Sequence, residues 1–115
     1  MNTATYNSSA YTLITYDPDL LDVDARPYAR IALGCAVAYE ILADAKAGYK
    51  DECDARIVAR DAIDDAYNGT AFDNFPYAED LIPYGGDLEK SMAAVMKLNS
   101  RCITIVNTLI AISAM

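Results

Sequence analysis

The apolar residues in the last third of the chain recur with a helical period. Between residues 87 and 113 they are separated by steps of three and four, and Asn99 takes the one place in the series that is not apolar. The apolar members are Leu88, Met92, Val95, Cys102, Val106 and Leu109. This spacing is typical of a helix that packs lengthwise on other helices. Asp87 precedes the series and can cap the first turn, so the pattern predicts a helix over residues 87–113.

The positions beside this series are also apolar, on both sides. One flank carries Leu98, Ile105 and Ile112, and the other carries Met96, Ile103 and Ile110. Such a wide surface needs at least two neighbours, which are either two helices of the same chain or one helix and a second copy. A buried amide such as Asn99 costs stability unless it is paired, and its best-attested use is to fix the register between helices. The sequence therefore predicts a homodimer, with an interface at Leu98, Asn99, Ile105 and Ile112.

Two earlier stretches have the same periodicity. Residues 25–47 are apolar on two sides, one of them formed by Leu33, Val37 and Ile41, so this helix is expected to be central and buried on both. Gly34 among alanines indicates a close crossing by a neighbour, and Gly48 is a typical helix stop. Residues 51–67 carry a thinner, alanine-rich stripe. The prediction is an all-α single domain, a small helical bundle of three main helices at about 25–47, 51–67 and 87–113.

The first 24 residues show no helical pattern and are predicted to form an extended N-terminal arm. Residues 11–16 alternate as a strand does and need a partner edge, which we expect in the loop after residue 70 or in another chain. The four carboxylates of residues 17–24 do not match a calcium loop, because Asp22 replaces its glycine and Tyr28 replaces its closing glutamate. We predict an N-cap at Asp24, and no metal or cofactor.

Residues 69–86 are predicted to form a long aromatic loop. Pro76 and Pro83 interrupt regular structure there, and loops of this length in a compact domain are usually functional or disordered. Its aromatic content argues against disorder, and tyrosine is well suited to interfaces. The candidate partner-binding residues are Phe75, Tyr77, Glu79, Asp80 and Tyr84. The competing interpretation is that the aromatic side chains fold back over the core.

The helix predicted at 51–67 carries a second candidate surface. Asp54, Asp61 and Asp65 fall on one face at helical spacing, and Asp64 lies beside them. A row of carboxylates on a rigid helix can imitate the charges of a nucleic-acid backbone and bind a basic protein surface. The competing interpretation is an ordinary solvated face, since exposed acidic faces are common.

Cysteine usage and targeting signals indicate an intracellular, cytoplasmic protein. Cys35, Cys53 and Cys102 lie far apart among apolar residues, so they are predicted to be reduced core residues. The N-terminus lacks the basic and apolar regions of a signal peptide. The uncharged run at the C-terminus has about fourteen residues, fewer than the roughly twenty that span a membrane, so no membrane contact is predicted.

Charge and composition narrow the function. The chain has seventeen acidic and nine basic residues, a net charge of −8, which disfavours direct binding to nucleic acid. It has no histidine and no nucleophile, phosphate-loop or metal-ligand motif, so we predict that it is not an enzyme. We predict a non-catalytic protein–protein interaction module, such as an acidic inhibitor or nucleic-acid mimic that blocks a basic groove of its partner. The alternative is a small-molecule or nucleotide-binding protein with a pocket between helices near Tyr28, Tyr39 and the loop aromatics.

Overall fold

A computed structural model of the chain describes residues 3–7, 12–16, 24–68, 75–83 and 85–113, and these are predominantly helical. The helices are α1 (Arg26–Lys46), α2 (Glu52–Tyr67), α3 (Ala78–Leu81) and α4 (Leu88–Ser113). The three long helices confirm those predicted from the apolar periodicity, and their ends agree closely with the predicted ones. The short helix α3 lies within the stretch that was predicted to be loop.

The cap residues explain where the long helices begin and end. Asp51 accepts a hydrogen bond from the Asp54 amide at the start of α2, and Asp87 accepts one from the Glu89 amide at the start of α4. Asn68 ends α2 in the left-handed conformation. The predicted N-cap at Asp24 is wrong, because Ala25 holds that position without a side-chain cap.

Helix α1 lies between α2 and α4 and packs along both, whereas these two hardly contact each other. The short helix α3 packs against α2 and α4 and covers a further side of the core. The core has contributions from all four helices, and its largest fully buried side chains include Ile31, Leu42, Ile63, Ile82 and Val95. The prediction that α1 is the central helix is therefore confirmed.

The contact between α1 and α2 is close because glycine and alanine line it. A Cβ atom added to Gly34 would lie 2.5 Å from the Cβ atom of Ala66 and 3.0 Å from the carbonyl oxygen of Ala62. The close crossing predicted at Gly34 is thereby confirmed. Gly48 has φ +90° in the turn that follows α1, a conformation that favours glycine.

The second apolar side of α1 is not covered. Val37 is 52% exposed, and Leu33 and Ile41 are only half-buried. The prediction that both apolar sides of this helix are buried is therefore wrong for this side. The physical reason is the arrangement of the neighbours: α2 and α4 pack along α1 and β2 touches it at only a few places, which leaves Val37 at the surface.

Asn99 fixes the register of α4 against α1 within one chain. Its side chain is 2% exposed, and its Nδ2 atom donates to the carbonyl oxygen of Ala32 over 2.8 Å. At the other end of the same pair of helices, Lys46 of α1 forms an ion pair with Glu89 of α4. The two helices are thus antiparallel, and the buried amide joins helices as expected, although both belong to the same chain.

Two arginines of α2 hold the segment that leads into α4. Arg56 donates to the carbonyl oxygen of Gly86, and the Nε atom of Arg60 donates to the carbonyl oxygen of Ile82 over 2.5 Å. Arg56 is buried, and the carboxylate of Glu52, one helical turn before it, lies 3.8 Å from its guanidinium group. The start of α4 is therefore positioned by α2, although the two helices hardly touch.

The described part of the N-terminal region is a β-hairpin. Strands β1 (Thr3–Asn7) and β2 (Thr12–Tyr16) pair antiparallel, with Thr3 opposite Tyr16. The strand predicted at residues 11–16 is present, and its partner among the described residues is β1, which the prediction did not name. The nearest preceding segment supplies the edge instead, which is the usual solution for two strands joined by a short connection.

Candidate functional site

The four predicted carboxylates of α2 form an exposed row, here called the acidic ridge: Asp54, Asp61, Asp64 and Asp65. The first, second and last of these are separated by seven and four residues, so they point in nearly the same direction over roughly 16 Å of helix. The core side of α2 is opposite them, at Ala55, Ala59 and Ile63. The structure therefore places all four carboxylates in solvent on one rigid element.

Helix α3 brings a further predicted carboxylate beside the acidic ridge. A groove of about 200 Å³ separates α2 from α3, and Asp61, Asp64 and Glu79 all line it. Its other lining residues are Ile57, Arg60 and Ala78. Asp80 is exposed, and its Oδ2 atom accepts a hydrogen bond from the Tyr77 amide over 3.3 Å, which caps the start of α3. The two acidic segments predicted from sequence thus share one surface.

Exposed apolar side chains lie beside the carboxylates. Ile57 and Val58 are about half exposed and flank the acidic ridge on its two sides. On the Val58 side, a second groove of about 320 Å³ runs between α1 and α2. It is lined by Ile41, Lys50, Asp51, Asp54, Ala55 and Val58. The ridge therefore has a polar groove on one side and a mainly apolar groove on the other.

The predicted aromatic residues divide between the core and the surface. Phe75 packs edge-on against Tyr28 of α1, with ring centroids 6.0 Å apart, and the Cζ atom of Arg101 lies 4.3 Å from the centre of the Phe75 ring. Tyr77 is 71% exposed at the start of α3. Tyr84 lies outside the described residues. Phe75 therefore covers the core, whereas the ring of Tyr77 is available to a partner.

The loop is also fastened to the end of α2. The hydroxyl of Tyr67 donates to the carbonyl oxygen of Pro76 over 2.6 Å, and burial raises the pKa of Tyr67 to about 12. This bond fixes the residue next to Phe75. The position of α3, and with it Glu79 and Tyr77, thus depends on a contact that the sequence pattern did not reveal.

The four residues predicted at an oligomer interface are not equally accessible. Leu98 and Asn99 are buried within the chain, and Asn99 is already paired with Ala32. Ile105 is half-buried, and Ile112 is 61% exposed. Only the last two are available to a second copy.

Helix α4 is the one helix of the described residues that is long and apolar enough to cross a membrane, by length and composition. The stretch runs over Leu88–Ile112, and only 28% of its most apolar window is buried. The prediction of no membrane contact was based on the uncharged run at the C-terminus alone, which is shorter than this stretch. The charged side chains of this helix are Glu89, Lys90, Lys97 and Arg101, and the residues after Arg101 are uncharged.

The thiols offer little reactivity in the core. Burial raises the pKa of Cys35, and it raises the pKa of Cys102 to about 12, so both thiols stay protonated at neutral pH. Cys53 is exposed, so its predicted place in the core is wrong. It belongs to the first turn of α2, before the apolar stripe begins at Ala55. Among the described residues, no group of three or more Cys, Asp or Glu side chains could hold a metal ion.

The alternative prediction concerned a pocket between helices near Tyr28, Tyr39 and the loop aromatics. Tyr39 is buried in the core, and Tyr28 is packed against Phe75. Within the described part of the chain, a groove of about 250 Å³ lies between α3 and α4 and reaches Pro76, next to Phe75. Sequence reasoning missed its two basic residues, Lys97 and Arg101, although their spacing of one helical turn on an acidic chain was a signal for them.

No protein-family model, curated protein or solved structure matches this chain. The geometry and charge of the described surfaces are therefore what bears on its function.

Proposed function

We propose that this protein is a non-catalytic interaction module that binds a basic surface of a partner protein through the acidic ridge and α3. The observation that carries the proposal is that Asp61 and Asp64 of α2 and Glu79 of α3 line one groove, with exposed Ile57 beside them. Carboxylates provide attraction to a basic partner, and adjacent apolar side chains provide contact area.

The apolar neighbours favour an interface over an ordinary solvated face. A solvated acidic face gains nothing from exposed branched side chains, whereas Ile57, Val58 and Tyr77 are all exposed near the carboxylates. Exposed apolar groups rimmed by polar residues are typical of protein-binding surfaces. Tyr77 has the size and rigidity of an interface anchor.

The charge of the protein suggests the kind of partner. With a net charge of −8 it repels phosphate backbones, so the partner is a protein with a basic groove. Basic grooves commonly hold nucleic acid, and a row of carboxylates over roughly 16 Å of helix would compete with it for the same groove. The protein would then act as an acidic inhibitor that mimics nucleic acid.

The first experiment captures partners from an extract of the natural host and measures association and dissociation rates for each. The ridge variant Asp54→Asn, Asp61→Asn, Asp65→Asn should slow association about tenfold, because exposed charge mainly steers the encounter. Its folding should change little, since exposed carboxylates contribute little to stability. The control variant Asp24→Asn, Asp44→Asn, Glu89→Gln removes the same charge elsewhere and should have a much smaller effect.

Salt and competition complete the test. Binding should weaken between about 0.1 M and 1 M salt, because screening shortens the reach of exposed charges from about 10 Å to about 3 Å. Tyr77→Ala should instead speed dissociation. If the ring is an anchor, the binding free energy should fall by roughly 2 kcal/mol. A partner that holds this protein and nucleic acid together, or one on which the control variant acts as strongly as the ridge variant, would refute the proposal.

A further inference from the structure

The groove between α1 and α2 carries exposed apolar side chains on both of its sides. It has a volume of about 320 Å³, and Ile41 of α1 and Val58 of α2 line it. Val58 is 50% exposed, and Val37, one helical turn before Ile41, is 52% exposed. Leu33 is half-buried and extends the apolar side of α1 by a further turn. The apolar strip therefore covers roughly 12 Å of α1, from Leu33 to Ile41.

Carboxylates border this apolar strip along α2. Asp54 lies one helical turn before Val58, Asp61 lies one turn after it, and both are exposed. The basic residue of the groove lining is Lys50, and its Nζ atom lies 3.8 Å from a carboxylate oxygen of Asp44, which offsets its charge. The border of the groove is therefore negative beside an apolar strip.

The shape of the groove favours a helix over an extended peptide. Its two sides are antiparallel helices, because Gly34 near the start of α1 meets Ala62 and Ala66 near the end of α2. The backbone groups within a helix are bonded to each other, so these sides offer no edge to which a strand could add. A third helix can pack its side chains between those of such a pair. Two turns of that helix match the length of the apolar strip.

We propose that this groove holds one amphipathic helix of the basic partner protein. The apolar face of that helix lies on Val37, Ile41 and Val58. Lysine or arginine side chains beside that face lie next to Asp54 and Asp61, because the negative border attracts them. This inference rests on the proposed function, which takes the partner to be basic, and it adds which element of the partner binds and where.

The test titrates the full chain with a synthetic peptide and follows the protein by amide NMR. The peptide has about eighteen residues, long enough to form a helix, with leucines on one face, lysines beside them and alanines elsewhere. It should bind and shift the amide signals around Val37, Ile41 and Val58. One comparison peptide has glutamate for every lysine, and another has the same residues in an order that spreads the leucines around the helix.

Each comparison peptide should bind about tenfold more weakly, because one lacks the charge attraction and the other lacks the apolar face. Equal binding of either one, or no binding of the basic peptide, would overturn the inference. Shifts of the same signals when the protein alone is diluted would show that a second copy occupies the groove instead.

Substitutions then locate the bound helix. Val58→Ala and Val37→Ala should each weaken peptide binding about fivefold, because each removes apolar contact area, and alanine favours the folded helices. Ile57→Ala is the matched control, since Ile57 is about as exposed as Val58 but lines the groove toward α3, and it should bind the peptide normally. Unchanged binding in both valine variants would contradict the inference. If Ile57→Ala alone weakens binding, the basic peptide lies toward α3, which refutes this groove but leaves the proposed function standing.

Discussion

Single polar side chains tie the elements of this protein together at defined points. Asn99 joins α4 to α1 through the Ala32 carbonyl, and Tyr67 joins the end of α2 to Pro76. Each bond satisfies a polar group that is wholly or partly buried, so removing one partner costs more than the bond itself contributes. At this scale, specificity of packing comes from a few hydrogen bonds within a core made largely of alanine, leucine and isoleucine.

The hydroxyl of Tyr67 gives a prediction that depends on pH. Tyr67→Phe should lower the free energy of unfolding by about 1 kcal/mol at pH 7, because it removes the bond to Pro76. The pKa of Tyr67 is raised from 10.0 to about 12 in the folded protein, so its stabilising contribution is complete below pH 10 and is lost as the pH rises from there to about 12.

The difference in stability between the two proteins should therefore shrink over that range. Urea unfolding followed by circular dichroism at pH 7, 9, 10 and 11 measures it. Comparing the two proteins at each pH cancels the titration of the other tyrosines and of the cysteines. A difference that stays constant up to pH 11 would show that Tyr67 is not shielded in the folded state.

At the scale of elements, the contact between α1 and α2 is set by the absence of a side chain at Gly34. Gly34→Ala should destabilise the protein by about 1 to 3 kcal/mol, since the new methyl group would overlap Ala66 and press on the Ala62 carbonyl. This outweighs the gain in helix propensity of about 1 kcal/mol that alanine gives elsewhere.

A second substitution tests whether overlap with Ala66 causes the loss of stability. Ala66→Gly in the same chain removes the side-chain atom that the new methyl would meet, so the double variant should recover part of the loss beyond the sum of the single effects. Thermal unfolding of the wild type, the two single variants and the double variant completes this double-mutant cycle. If the effects of the two single substitutions simply add in the double variant, the new methyl group does not clash with Ala66, which would mean that the two helices have moved apart.

The extent to which sequence predicts these elements depends on their length. The long helices were predictable because many turns repeat the same apolar spacing and because Asp87, Gly48 and Asn68 mark the ends. Helix α3 was not, since four residues are too few for a periodic pattern, and it depends on tertiary contacts and the Asp80 cap.

The candidate site follows the same division. Exposure of the acidic ridge was predictable from the helical wheel, because all its members belong to one helix. The approach of Glu79 to Asp61 was not, because it depends on α3 and on the Arg60 bond to Ile82, which join segments distant in sequence. Burial of Arg56 was missed for the same reason, since its partner is the carbonyl of Gly86.

At the scale of the whole molecule, α4 extends beyond the helix that supports it. Asn99 lies beside Ala32, which is six residues from the start of α1, so in an antiparallel pair α4 passes that end near Val106. Val106 is buried, whereas Ile110 and Ile112 further along are exposed. The last turns of α4 therefore present apolar side chains to solvent.

We propose that a second copy of the chain covers this end of α4 at Ile105 and Ile112, which keeps the predicted homodimer but removes Leu98 and Asn99 from its interface. Light scattering at micromolar concentration should give about twice 12.5 kDa. Ile112→Asp should yield the monomer, because it buries a charge without a partner. Val37→Asp, on the open side of α1, is the control and should leave the dimer intact. A wild-type mass of one chain, or partition of α4 into lipid vesicles, would contradict the dimer.

The hydrogen bonds of the two arginines of α2 close two loops of the chain, one inside the other. The bond from Arg60 to Ile82 closes a loop of 22 residues, and the bond from Arg56 to Gly86 closes one of 30 residues around it. Most of the loop-closure entropy is lost when the inner bond forms, because α2 already orders the residues between the two arginines. The outer bond then restrains only the few residues from Ile82 to Gly86. The connection into α4 is thus ordered in two successive steps, and each bond makes the other easier to form.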